Sequence, residues 1–265
     1  MRSLNGDMTD FLDQLVKDAE QTLKEGYYTA QPSEPHANIS LRTTIETCRY
    51  NPVIAEMKRA SPSLGSIREN IDPTEIAHAI EAGGASGMSV LTEPKHFKGS
   101  LGYLRQIRGT TRLPLLMKDI IISPEQIEAG ARLGANAVLL IKAIYDRGKG
   151  HLNLDSMIEK AHALGLEVLL ETHDANEFNA AKNTGADLIG INNRDLRTLK
   201  VDLEVTRRVL ETHSKGDAPI VSESGIKTPG DLLFLRGCGA QAYLIGSSIM
   251  ASGDIEEAVR GFVRA

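Results

Sequence analysis

Glu56 and Lys58 stand two residues apart where the apolar run Val53–Met57 meets the loop S-P-S-L-G-S. In an extended strand, residues i and i+2 share a face, so an acid and a base point to the same side of a core strand. Burying such a pair is costly unless further partners satisfy it, which marks it for acid/base chemistry. Other apolar runs end in the same manner: Lys118 and Asp119 in L-L-M-K-D, and Glu171, Thr172 and His173 in L-L-E-T-H. Asn192, Asn193, Arg194 and Asp195 follow I-G-I, Ser222, Glu223 and Ser224 sit in V-S-E-S, and Gly246, Ser247 and Ser248 in L-I-G-S-S. Carboxylates, ammonium groups and amides gathered on one rim are tools for moving protons on a polar substrate. Lys142, with nothing beside it, reads as a strand end meeting water, and Asp195 as a turn residue.

The elements that must position these groups repeat along the chain. Short apolar runs occur at Val53–Met57, Gly87–Leu91, Leu113–Met117, Ala137–Ile141, Glu167–Leu170, Leu188–Ile191, Ile220–Val221 and Tyr243–Ile245. Helical patterns lie between most of them, at Pro73–Ala82, Ser123–Leu133, Leu154–Leu164, Ala175–Asn183, Leu203–Leu210 and Thr228–Arg236. Capping signals open several helices, S-P-E-Q and T-P-G-D among them, and glycine closes several others. Strands alternating with helices predict a parallel sheet, and eight such units fit a (β/α)8 TIM barrel of ~250 residues. An open doubly wound sheet would carry a glycine-rich phosphate loop after its first strand, where this chain has S-P-S-L-G-S. Ahead of the barrel, apolar residues at helical spacing predict an amphipathic helix from Met8 to Leu23. A break follows at Gln31–His36, then a short helix around Ser40–Cys48. The expected organisation is one domain over 1–265, with 1–50 a helical extension packed on the barrel.

Composition narrows the function classes. The 265 residues carry a formal net charge of −5, which does not suit a general nucleic-acid binder. Two cysteines and seven scattered histidines show no ligand spacing, so neither a disulfide framework nor a metal site is expected. The amino terminus lacks a signal-peptide pattern, and no apolar run reaches the ~20 residues of a membrane span. A cytoplasmic protein with no membrane partner is expected.

In barrels the active site lies at the carboxyl ends of the strands, and the loops after strands seven and eight often hold phosphate. S-E-S-G-I-K and L-I-G-S-S-I-M supply glycine and serine at those two turns, where backbone N–H groups form an anion nest. Together they predict a phosphorylated small-molecule substrate.

Seven ordered motifs carry a resemblance to a known family: I-A-E-M-K-R-A-S-P-S, S-V-L-T-E-P-K-H-F-K-G-S, L-L-M-K-D, L-L-E-T-H, I-G-I-N-N-R-D-L, V-S-E-S-G-I and L-I-G-S-S-I-M. The chain resembles the indole-3-glycerol-phosphate synthases over nearly its whole length. The resemblance implies a carboxy-lyase of tryptophan biosynthesis. Such an enzyme closes the indole ring of 1-(o-carboxyphenylamino)-1-deoxyribulose 5-phosphate with loss of CO2 and water, and it needs no cofactor. It implies that Lys118 is the general acid of ring closure and Glu171 the glutamate of dehydration. Lys58 would hold substrate anions, with Glu56 and Asn192 positioning the lysines and the sugar hydroxyls. Arg194 and Glu223 match further site positions. Ser61, Ser224, Gly225, Gly246 and Ser247 match the phosphate site, and Phe97 the aromatic wall. Ile120 and Leu199 stand where family members commonly have phenylalanine. A monomer or weak homo-oligomer is expected, with other tryptophan-pathway enzymes as neighbours. An ordinary lysine (pKa ~10.4) is a sluggish acid at neutral pH, and Lys58 is expected to lower the pKa of Lys118. The S-P-S-L-G-S loop reads as a lid. The alternatives are a sister phosphate-barrel isomerase, for which an Asp or Cys acid/base pair is expected, and a non-catalytic sugar-phosphate binder on the same fold.

Overall fold

Eight parallel strands close on themselves in chain order: β1 Val53–Met57, β2 Gly87–Leu91, β3 Leu115–Lys118, β4 Ala137–Ile141, β5 Glu167–Thr172, β6 Leu188–Asn192, β7 Ile220–Glu223 and β8 Ala242–Ile245. The computed structural model describes residues 10–29, 38–61, 65–66, 68, 71–212 and 216–265. β1 closes the barrel by pairing with both β2 and β8. The predicted TIM barrel is therefore observed.

Helices α1 Phe11–Lys24 and α2 Leu41–Glu46 precede the barrel; α3 Pro73–Ala82, α4 Leu101–Arg108, α5 Pro124–Arg132, α6 Lys142–Asp146, α7 Leu154–Ala163, α8 Ala175–Ala181, α9 Glu204–Thr212, α10 Pro229–Cys238, α11 Ser247–Met250 and α12 Ile255–Val263 follow. α5 and α10 start with proline and a capping box built on Ser123 and Thr228, as the sequence predicts. Helices α4, α6, α11 and α12 have no counterpart in the sequence reading; α6 and α11 are too short to show a 3.6-residue period. The third strand starts at Leu115 rather than Leu113, while the fifth, sixth and seventh run on to Thr172, Asn192 and Glu223. The break expected at Gln31–His36 and the helix start at Met8 lie outside the described residues.

Strand parity divides the core. Val53, Ala55 and Met57 pack outward with the helices, as do Leu115, Met117, Val168 and Leu170. Ile54, Leu116, Leu139, Leu169, Leu188, Val221 and Leu244 fill the barrel interior. The N-terminal segment covers both ends of this inner core. Leu41 and Ile45 of α2 join it from the amino-terminal end, where Glu167 at the start of β5 accepts the N–H groups of Leu41 and Arg42 at 2.8 and 3.0 Å. Leu12, Leu15, Val16 and Ala19 of α1 join it at the opposite rim beside Ile120 and Ile141. Each fully buried leucine stabilises this docking by roughly 1.5–3 kcal/mol. The part-exposed ion pairs Asp10–Arg147, Asp18–His96 and Glu20–His151, at 2.7–2.8 Å, add less and fix orientation.

Candidate active site

The inner parity that carries Ile54, Leu116, Leu169, Leu188 and Val221 also carries, two or four residues on, Glu56, Lys118, Glu171, Asn192 and Glu223. All five reach the carboxyl-end mouth of the barrel, and four of them are buried, Lys118 half so. Lys58 Nζ lies 2.9 Å from Glu56 Oε1, and Lys118 Nζ lies 3.4 Å from Glu56 Oε2 and 2.9 Å from Glu223 Oε2. Two ammonium groups thus share one carboxylate, and a second carboxylate holds Lys118 from the far side.

Two clefts meet at this cluster. One is lined mostly by apolar groups, including Phe11, Leu15, Phe97, Ile120, Leu196 and Leu199. The other is lined by Ser224, Gly225, Gly246 and Ser247, with Val201 and Leu203. Glu56, Lys58, Lys118, Arg194, Leu199 and Ser224 border both. Ser224 and Gly225 adopt left-handed backbone, with φ of 66° and 86°, at the turn that follows β7. A Cβ on Gly246 would stand 2.8 Å from Glu56 Oε1 and 2.9 Å from Lys58 Cε. A side chain at this position would have to push the charged pair aside. The joined clefts thus set an apolar side and a glycine-serine side on either hand of the lysines.

Neighbouring charges tune each group. Burial pushes Glu56 up, but Lys58 and Lys118 outweigh it and hold the carboxyl at about 2. Burial also raises Glu171, and His173 with Lys118 brings it down to about 2. For Glu223 burial prevails: with Glu171 and Glu56 nearby, its carboxyl is pushed up to about 7 despite Lys118. Glu223 Oε1 also has no hydrogen-bond partner. For Lys118, burial works downward, yet Glu223, Glu56 and Glu171 together raise its pKa above the ordinary lysine value. This corrects the expectation that Lys58 lowers it. Carboxylates, rather than Lys58, are its nearest neighbours.

Several predicted residues fall elsewhere, because the next residue along a strand faces the other side. Asn193 is buried beneath the rim, donating to Ser222 Oγ and to the carbonyls of Glu223 and Ser224. Thr172 donates to Gly190 O, and Ser248 to Ile226 O. Asp119, by contrast, stays at the site: it borders the apolar cleft, buried and accepting from Thr92, Tyr28 and the N–H of Ile120. Asp195 accepts the N–H groups of Arg197 and Thr198 in a turn, as read. Lys142 departs from its reading: it is buried and grips Asp146 at 2.6 Å. The chain enters α6 directly at that point instead of meeting water. Ser61 lies in a two-strand hairpin, Ala60–Ser61 with Gly65–Ser66; its side chain and the lid residues 62–64 lie outside the described residues.

The structure adds groups that the sequence reading did not assign. Phe11 and Leu15 bring α1 into the apolar cleft. Buried Glu93 accepts the N–H groups of Lys95, His96 and Phe97 at 2.7–2.9 Å, fixing the turn that presents Phe97. Its only signal was a carboxylate just ahead of a proline-led loop. Among the described residues, no three His, Cys, Asp or Glu side chains gather as a metal site. No helix there is long and apolar enough to cross a membrane.

The family model for indole-3-glycerol phosphate synthase matches residues 10–262. The chain belongs to the indole-3-glycerol phosphate synthase family. An indole-3-glycerol phosphate synthase of Caldanaerobacter subterraneus subsp. tengcongensis is 47% identical over 211 residues, covering 78% of this chain and 80% of that one. The synthase of Desulfosudis oleivorans is 39% identical over 261 residues, covering 93% and 96%. Among solved structures, thiamine phosphate pyrophosphorylase from Pyrococcus furiosus superposes with a TM-score of 0.59 at 17% identity, covering 84% of this chain and 96% of that one. That likeness concerns the fold alone. Family membership extends across α1 and α2 as well as the barrel, so the helix that supplies Phe11 lies within the matched region.

Proposed function

We propose that this member of the family closes the indole ring of 1-(o-carboxyphenylamino)-1-deoxyribulose 5-phosphate, releasing CO2 and water. One observation carries the reading: Lys118 sits on two carboxylates at the junction of an apolar cleft and a cleft lined by glycine-serine turns. The aryl ring occupies the apolar side against Phe97 and Phe11. The phosphate rests on Ser224, Gly225, Gly246 and Ser247, with Ser61 added from the hairpin, and Arg194 borders both ends. The ketone then lies over Lys118.

As the ring carbon attacks, charge builds on the ketone oxygen, and Lys118 donates a proton to it. Its raised pKa keeps it charged until the oxygen becomes basic enough to take that proton. Loss of CO2 returns an electron pair to the ring. The hydroxyl then leaves as water, its second proton supplied by the lysine pair, while Glu171 as carboxylate removes the C–H proton. Glu56 holds both lysines, Asn192 supports Glu171, and Glu223 anchors Lys118 and binds a substrate hydroxyl. No step calls for a cofactor.

The same reading treats residues 1–265 as one unit with 1–50 as its extension, because α1 supplies part of the cleft wall. It describes a cytoplasmic monomer or weak homo-oligomer working beside other tryptophan-pathway enzymes.

The test is direct, because the chain has no tryptophan and indole absorbance and fluorescence stand clear. The purified protein should form the indole product, and Lys118→Ala and Glu171→Gln should each lower kcat by roughly 10²–10⁴-fold with little change in KM. Substrate binding without product would instead identify a sugar-phosphate binder.

A further inference from the structure

His173 follows Glu171 by two residues, and the chemistry above leaves it unused. Its Nε2 lies 3.2 Å from Glu171 Oε1 and its Nδ1 lies 3.3 Å from Glu177 Oε2. The Nδ1 contact is a hydrogen bond, and the backbone N–H of His173 donates to the same Glu177 oxygen at 2.8 Å. Nε2 is buried, and its approach to Glu171 has the distance of an ion pair without the full geometry of a hydrogen bond. The ring is therefore pinned on one side, with its free nitrogen within ion-pair reach of Glu171.

These groups connect two separate openings. Glu171 lines the substrate cleft, whereas His173 and Glu177 line a second cleft behind it. The charged groups around that second cleft are Arg147, Asp174, Asp195 and Arg197, and Asn192 forms a wall of both clefts.

The proton balance of the reaction requires a route inward. The substrate arrives with an ionised aryl carboxylate and loses it as neutral CO2. Its ketone oxygen takes two protons to leave as water, and only one comes back from carbon. Each turnover therefore draws one proton from solvent while the substrate itself covers the mouth.

We propose that His173 is a proton-relay residue, passing protons from Glu177 at the second cleft to Glu171 and so back to the spent Lys118. This rests on the proposed synthase reaction. As the ring N–H bond breaks, the proton moves to Glu171, and the neutral ring is recharged from solvent through Glu177. From end to end the transfer is downhill, with Glu171, held low by its neighbours, only a brief carrier: burial disfavours charge on the ring, yet Glu171 and Glu177 hold its pKa up at about 10, whereas Lys118 is raised above the ordinary lysine value. The ring is thus loaded at neutral pH and still gives way to Lys118.

The test is steady-state indole formation by His173→Gln and Glu177→Gln, with and without added imidazole. For His173→Gln, kcat should fall roughly 10²-fold at an unchanged KM. Imidazole diffusing into the second cleft should restore much of the loss. Glu177→Gln should fall in the same direction by less, and it carries the test if the histidine variant does not fold. A kcat within about twofold of wild type in the foldable variants, or a loss that imidazole leaves untouched, would overturn the relay. A wild-type protein that forms no indole product overturns the synthase reading instead, so the two failures are distinguishable.

Discussion

Replacing Glu223 with glutamine should make the protein more stable and less active, with a stability gain that depends on pH. Glu223 is fully buried, one of its oxygens has no partner, and its carboxyl is pushed from 4.5 to about 7, chiefly by burial with added repulsion from Glu171 and Glu56. A carboxyl whose folded pKa is raised binds its proton more tightly when folded. That contribution is complete below pH 4.5 and is lost as pH rises through about 7. At about 1.4 kcal/mol for each tenfold step in affinity, the loss amounts to about 3 kcal/mol at pH 8. Glutamine mimics the protonated form and never incurs it. Unfolding free energies from urea titration of wild type and Glu223→Gln should therefore nearly coincide near pH 4.5 and separate to about 3 kcal/mol by pH 8. The melting temperature of the variant at pH 8 should be higher by roughly 6–12 °C for a chain of this size. Activity should fall, because Lys118 loses the partner 2.9 Å away. A variant less stable than wild type at pH 8, or a stability gap that does not change with pH, would refute this account of the site's electrostatics.

Two further outcomes test the two clefts. Phe11→Ala removes a half-buried ring from the apolar wall. Losing about 1–2 kcal/mol of apolar contact should raise KM by roughly tenfold while kcat stays near wild type; an unchanged KM would mean that α1 does not reach the bound substrate. Gly246→Ala places a methyl group against Glu56 and Lys58. Overpacking of about 1–3 kcal/mol should lower kcat/KM by roughly 10–10²-fold, and a fully active Gly246→Ala enzyme would contradict the close approach drawn at that strand end.

The amino-acid sequence by itself determined the barrel, the order of its eight strands, and the shared face of residues such as Glu56 and Ile54. Period-2 spacing ties Glu56 to Ile54 and Glu171 to Leu169, so once the apolar partner is buried inside the barrel the charged one must reach its mouth. Capping boxes at Ser123 and Thr228 marked helix starts through purely local hydrogen bonds, and the paired Gly-Ser turns led to the expectation of an anion site for the same local reason. Short helices such as Lys142–Asp146 escaped notice because they are shorter than the period that would reveal them. The tertiary structure alone decided the electrostatics. Lys118 and Glu223 are 105 residues apart, and no local pattern reports that two carboxylates flank that lysine and raise its pKa. It also decided where α1 goes: helical spacing showed that Phe11 and Leu15 share an apolar face, but only packing against Ile120 and Ile141 turns that face into a wall of the active-site cleft. Local interactions are written in neighbouring residues, whereas Coulomb forces and burial depend on distances that exist only after the chain has folded.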